Sequence, residues 1–219
     1  MKNWVTLIKA NWSEVLSEKY FTLKYIVNLV CCYTLYIYIT HLLVQNRFRE
    51  GVVLCDPIQK FFTPVDFSLP IFVLTYACAI SFIVYIIPRP RHFYFAVRSF
   101  LVVFIFRFAA IYLIALSPPQ TMIPLNDPVL DWIVGNNHEI YNDLFFSGHV
   151  ADVCIFIFCC RSNWLRGFLL VSVFFVAVML VWQQVHYTAD VLGAPFFAYV
   201  SYVLFAKKGI RKYSDNPLA

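Results

Sequence analysis

Six long apolar runs constrain this chain more than any other feature. They lie at about 21–43, 67–87, 93–116, 144–160, 165–185 and 187–206, the fourth being the shortest. A helix needs about 20 residues to cross the roughly 30 Å of hydrocarbon in a bilayer, so each run is a spanning candidate. Backbone groups facing lipid have no partner outside their own segment, which makes helices the expected structure. The period-two alternation of a lipid-facing β-barrel is missing. Composition agrees: of 219 residues, 61% are hydrophobic and 13% charged, too little polar surface for a water-soluble globule. The expected fold class is all-α, a polytopic membrane protein of six transmembrane helices with an N-terminal interfacial helix. The spans occupy 21–206 as one domain, and residues 207–219 form a basic cytoplasmic tail.

Residues 1–20 carry Lys2, Lys9, Glu14, Glu18 and Lys19 among Trp4, Val5, Ile8, Trp12, Val15 and Leu16. With no uninterrupted apolar core or small-residue cleavage site, they do not read as a removable signal peptide. Their apolar residues recur at helical spacing, which predicts an amphipathic helix in the interface with its tryptophans at headgroup depth; a solvent-facing helix is the plainer alternative. Of seven cysteines, only Cys55 lies outside the apolar runs, and no disulfide framework or zinc-ligand spacing emerges. The net charge of +5 is distributed by topology and gives no argument for nucleic acid.

Lys and Arg accumulate in cytoplasmic loops. They occur in the N-terminal segment (Lys2, Lys9, Lys19, Lys24), the second loop (Arg89, Arg91), the fourth (Arg161, Arg166) and the tail (Lys207, Lys208, Arg211, Lys212). The connection from Ser117 to Phe146 instead carries Asp127, Asp131, Glu139 and Asp143 and no Lys or Arg. Both termini are therefore expected in the cytoplasm and this connection on the exoplasmic side, whether periplasmic, lumenal or extracellular. That topology brings Ser147-Gly148-His149, entering the fourth span, to the same outer face as His186 to Asp190, entering the sixth. The third span runs outward and carries Arg107 nine residues before residue 116, about 13 Å deep. An arginine there is costly unless paired or functional.

These residues suit phosphoryl transfer. His186 and Asp190 are four apart, one turn from each other on a helix face. A carboxylate there fixes the imidazole tautomer and leaves the other ring nitrogen as a nucleophile; an ordinary interfacial hydrogen bond is the plainer reading of the pair. Ser147-Gly148-His149 opens a helix, where free N–H groups and the positive dipole end attract an anion. His149 suits a general acid and base. Arg107 adds a charge clamp.

Together the motifs resemble the type 2 phosphatidic acid phosphatase superfamily, which transfers phosphate through a phosphohistidine. Within it, Arg107, Tyr112, Leu116 and Pro119, then Asp143 six before His149, then His186-Tyr187-Thr188 with Asp190, are similar to the sphingomyelin synthase branch. The motifs cover about 107–194, with an echo of that branch's first outer loop in Asp56-Pro57 and Phe61-Phe62. The phosphatases' lysine-bearing element is absent, and Leu180 stands where they place an arginine six before the second histidine. The outer loop has Tyr141-Asn142 where animal sphingomyelin synthases have a cysteine-glycine pair.

The resemblance implies a glycerophospholipid donor and a ceramide- or diacylglycerol-like acceptor. His149, His186 and Asp190 would be catalytic, and Arg107, Ser147 and Gly148 would bind phosphate. Tyr112, Asp143, Asp152 and Tyr187 would support the site or the head group. No metal or other cofactor is implied. Water as acceptor would make the same site a lipid phosphate phosphatase or phospholipase C, and a non-catalytic lipid-binding scaffold is the third reading. Asp143, Asp131 or Glu139 could draw a cationic head group, or simply be solvated. Asp152, three after His149, could pair with Arg107 or a donor amine, or be a packed acid. The oligomeric state stays open, a homo-oligomer included.

Overall fold

Every apolar run becomes helical, but one of them forms a helix too short to cross a bilayer by itself. The structure, a computed structural model, describes residues 4–45, 49–127 and 144–213. Its helices are α1 (Trp4–Ser17), α2 (Lys19–Gln45), α3 (Ser68–Ile86), α4 (Pro90–Leu113), α5 (Gly148–Cys159), α6 (Asn163–Trp182), α7 (Thr188–Phe205) and α8 (Lys207–Tyr213), with a 3₁₀ turn at Gln59–Phe61. Local signals explain several boundaries. Pro90 opens α4, where a missing N–H costs nothing, and Ser162 caps α6 by accepting from the Leu165 amide at 3.5 Å.

Five of these helices are long and apolar enough to cross a membrane: Lys19–Leu43 within α2, then α3, α4, α6 and α7. The expected sixth, at 144–160, is instead the 12-residue α5, about 18 Å long and too short to span alone. It can be short because α3, α4, α6 and α7 all pack around it. Val153, Ile155 and Cys159 are fully buried, so the neighbours, rather than α5, face lipid. Van der Waals fit between small residues holds helices together in a bilayer, and Ala194, Ala198 and Ser201 give α7 a fully buried small-residue stripe within the bundle.

The N-terminal helix lies against one end of this bundle. Asn11 Nδ2 donates to the Pro88 carbonyl at 2.7 Å and Trp12 Nε1 to that of Ile87 at 2.8 Å, which docks α1 on the α3–α4 turn. Arg91 pairs with Glu18 at 2.5 Å. Arg161, in the α5–α6 turn, donates its amide to Tyr85 Oη at the end of α3. Residues 207–213, expected as part of a plain tail, form α8, whose Gly209 abuts the Phe95 ring. All four basic segments thus meet at one end of the bundle.

The opposite end is built from 49–67 and 114–127. Val52 and Leu116 form an isolated parallel bridge, with Val52 N donating to Ala115 O at 3.0 Å and Ser117 N to Val52 O at 3.1 Å. A Cβ on Gly51 would lie 2.6 Å from the carbonyl carbon and oxygen of Ala115. These are backbone atoms that cannot swing away, so Gly51→Ala is expected to lower stability by about 1–3 kcal/mol. Thermal unfolding of the purified protein in detergent measures it.

Candidate functional site

Arg107 lies six residues before Leu113, where α4 ends, or about 9 Å in from that end. This is shallower than the 13 Å expected, because α4 stops at Leu113 and residues 114–116 leave it. The start of α5 lies at the same level: Arg107 Nη1 donates to the Phe146 carbonyl at 3.0 Å, with the guanidinium 5.7 Å from the Phe146 ring. A Cβ on Gly148 would fall 2.7 Å from Nη1 and 2.9 Å from Cζ. Glycine is therefore what lets the guanidinium rest on the first turn of α5. The Ser147-Gly148-His149 motif thus lies level with Arg107, about 9 Å short of the end of α4.

Ser147 is fully buried. As N-cap of α5 it accepts from the Val150 amide at a long 3.5 Å. Two residues earlier, Phe145 has φ 87°, a left-handed conformation that is unfavourable for a bulky residue and that neighbouring structure must enforce. Phe146 helps anchor the segment by stacking on Phe197 of α7, centroids 4.6 Å apart.

The second motif starts differently from the expected helix face. His186 is not helical: it lies in the turn between α6 and α7. At the end of α6, Gln184 N donates to Val181 O and Val185 N to Leu180 O, the paired bonds of a left-handed helix stop. Gln184 takes φ 62° at the position glycine usually fills, and its buried side chain accepts from the Thr121 hydroxyl. The chain then turns through His186 to Tyr187, the N-cap of α7, and Asp190 is the third residue of that helix. Asp190 Oδ2 accepts from Tyr187 N at 3.1 Å and stands 3.6 Å from His186 Nδ1. The pair is thus a helix cap with an imidazole beside it, and both side chains are nearly inaccessible. At 3.6 Å the contact is an ion-pair distance rather than a hydrogen bond; catalytic hydrogen bonds are often this long before substrate binds.

A backbone hydrogen bond joins the two motifs directly, Ser147 N to Asp190 O at 3.2 Å. Arg107, Ser147, Gly148, His186 and Asp190 therefore form one connected set from α4, α5 and the start of α7. His149 occupies the first turn of α5, half-buried, with its ring edge-on to Phe72 of α3 at 5.5 Å. Asp152 sits one turn further along α5, partly buried. Tyr112 does not join them: it is 62% exposed and stacks on Phe108 along the outside of α4. Asp143, Asp131 and Glu139 lie outside the described residues.

The structure gives roles to residues that the sequence reading named only as an echo of a family loop, or not at all. Asp56 Oδ2 accepts from Thr188 N at 2.6 Å, while its Oδ1 accepts from Ile58 N at 2.9 Å and Gln59 N at 3.4 Å. Burial pushes the Asp56 carboxyl up, but the bonds from Thr188, Ile58 and Gln59 outweigh it and hold it below its ordinary value. Gln59 Nε2 donates to the His186 carbonyl at 2.9 Å. Tyr187, proposed from its motif alone, ties three segments: its hydroxyl donates to Ser117 O at 2.8 Å and accepts from Leu54 N at 3.2 Å. Gln183, fully buried, accepts from Phe67 N at 2.8 Å and donates to Ser68 Oγ at 3.1 Å. The signal for Asp56 was the Asp56-Pro57 echo of the sphingomyelin synthase branch's first outer loop. Gln183-Gln184 showed only as polar residues at the end of an apolar run. No protein-family model matches the chain, and no curated protein or solved structure matches it either.

Proposed function

We propose that this is a membrane lipid phosphotransferase, moving a phospho-head group from a glycerophospholipid to a ceramide- or diacylglycerol-like hydroxyl through a phosphohistidine. The observation that carries this reading is the meeting of three distant segments at one place: Arg107 against Gly148, and Ser147 bonded to Asp190, whose carboxylate stands beside His186. Each part has a role in the reaction. With Nδ1 turned to Asp190, His186 attacks the donor phosphorus through Nε2, forming a P–N bond as the bond to the diacylglycerol oxygen breaks. His149 gives that oxygen its proton. Arg107 and the first amides of α5 offset the charge that builds on the non-bridging oxygens. In the second half the acceptor hydroxyl loses its proton to His149 and attacks phosphorus, the P–N bond breaks, and His186 is restored.

In this scheme the site faces the exoplasmic side and both termini are cytoplasmic. The gathering of the basic segments at the other end of the bundle supports that orientation. The test is the purified protein in nanodiscs with head-group-labelled phospholipid and ceramide or diacylglycerol. The expected result is label in a new phospholipid-like product, undiminished by a metal chelator, because no step uses a metal. Label released only as phosphorylated head group would make water the acceptor and the protein a phospholipase C-type hydrolase. Loss of turnover in chelator would overturn the scheme.

A further inference from the structure

We propose that Asp56 and Gln59, in the loop between α2 and α3, are positioning residues that hold the His186 turn in register with the phosphate site on α5. The inference rests on the reading of His186 as nucleophile. Neither side chain is offered as a group that touches substrate. Both oxygens of Asp56 are occupied by backbone amides, of Thr188 on one side and of Ile58 and Gln59 on the other. Gln59 is buried and bonds the carbonyl of His186 itself.

Two features make these bonds matter for orientation. The turn that carries His186 belongs to neither α6 nor α7, so helix geometry does not set the imidazole direction; the peptide of His186 and the first amide of α7 do. The loop segment that holds them is thinly packed: Leu54, Cys55, Pro57 and Ile58 are exposed, and together with Tyr187, Thr188 and Ala189 they line an open pocket of about 190 Å³. Little apolar packing stands in for the polar contacts if they are lost.

The same contacts fill the start of α7. At α7 the Tyr187 amide is taken by Asp190 and the Thr188 amide by Asp56. A resident carboxylate therefore satisfies the first turn of α7 and opposes a second anion there.

The test uses the full chain in phosphatidylcholine and phosphatidylethanolamine nanodiscs, comparing wild type with Asp56→Asn and Gln59→Met. Asparagine keeps the shape of Asp56 but can accept with one oxygen only, and its NH₂ then faces an amide donor. Methionine keeps the length of Gln59 and removes its donor. Phosphoramidate, which phosphorylates histidine with loss of ammonia, reads the reactivity of His186 by peptide mass spectrometry without a lipid substrate. Both variants are expected to slow modification of His186 by about tenfold and to lower kcat by a similar factor, with KM for the donor unchanged within about twofold. If one variant does not fold, the other decides. Equal modification rates in all three proteins, or a raised KM with unchanged kcat, would overturn the inference while leaving His186 as nucleophile. Full turnover by His186→Ala, or no modification of His186 in wild type, would instead remove the reading on which it rests.

Discussion

Replacing His186 by alanine is expected to abolish the covalent phosphoenzyme and to lower turnover by more than about 10⁴-fold, the scale on which enzymes lose activity when a nucleophile is removed. Among the described residues, Asp190, 3.6 Å away, is committed to the Tyr187 amide, and Asp56 is committed to Thr188, Ile58 and Gln59. His149 projects toward Phe72 on the α3 side, so its loss should act differently. His149→Ala is expected to slow phosphoenzyme formation by about 10²–10⁴-fold while His186 still becomes labelled. Acid-quenched protein, incubated with phosphate-labelled phospholipid and digested, separates the two outcomes. Full activity in either variant would refute the assignment.

Gly148→Ala should produce the second large effect, with little change in folding. The added methyl would sit 2.7 Å from Arg107 Nη1, closer than real atoms approach. The obstructed atoms are the end of a flexible side chain, so the guanidinium can swing aside and the bundle need not. What is lost is its position, because the bond to Phe146 O at 3.0 Å must lengthen or break as the charge leaves the α5 terminus. A displacement of about 1 Å in a catalytic group can lower the rate about 100-fold. Turnover should therefore fall by about that factor while the thermal midpoint stays within a few degrees of wild type. A large drop in the midpoint with unchanged turnover per folded molecule would show that Gly148 serves packing instead. Gly51 offers the contrast, since there the obstructed atoms are backbone and the penalty falls on the fold.

Much of the helical plan was legible because hydrophobic run length is a local property. The runs at 67–87, 165–185 and 187–206 correspond to α3, α6 and α7. The basic segments predicted a common end, and α1, the α3–α4 and α5–α6 turns and α8 meet there. The fourth run gave a shorter helix than its length suggested, for a physical reason. Apolar residues at 144–160 read alike whether they face lipid or other helices, and only the structure shows a 12-residue α5 packed among its neighbours.

The site divides in the same way. His186 with Asp190 and Ser147-Gly148-His149 were visible as spacings, yet the helix face assumed for the first pair was wrong, since Asp190 caps α7 and His186 precedes it. Tyr112 had the right spacing from Arg107 but lies five residues on along α4. At 100° per residue that carries its side chain well round the helix, and it emerges on the exposed side.

By itself, the sequence determined that the chain is a helical membrane protein with an arginine and two histidine motifs near one end, because hydropathy, charge and spacing are properties of the order of residues. Only the tertiary structure decided that Gly148 makes room for Arg107, that Ser147 bonds Asp190, and that Asp56 and Gln59 hold the His186 turn. Those contacts join residues 41 to 132 positions apart. They depend on where the helices end and how deeply the 12-residue α5 sits among its neighbours.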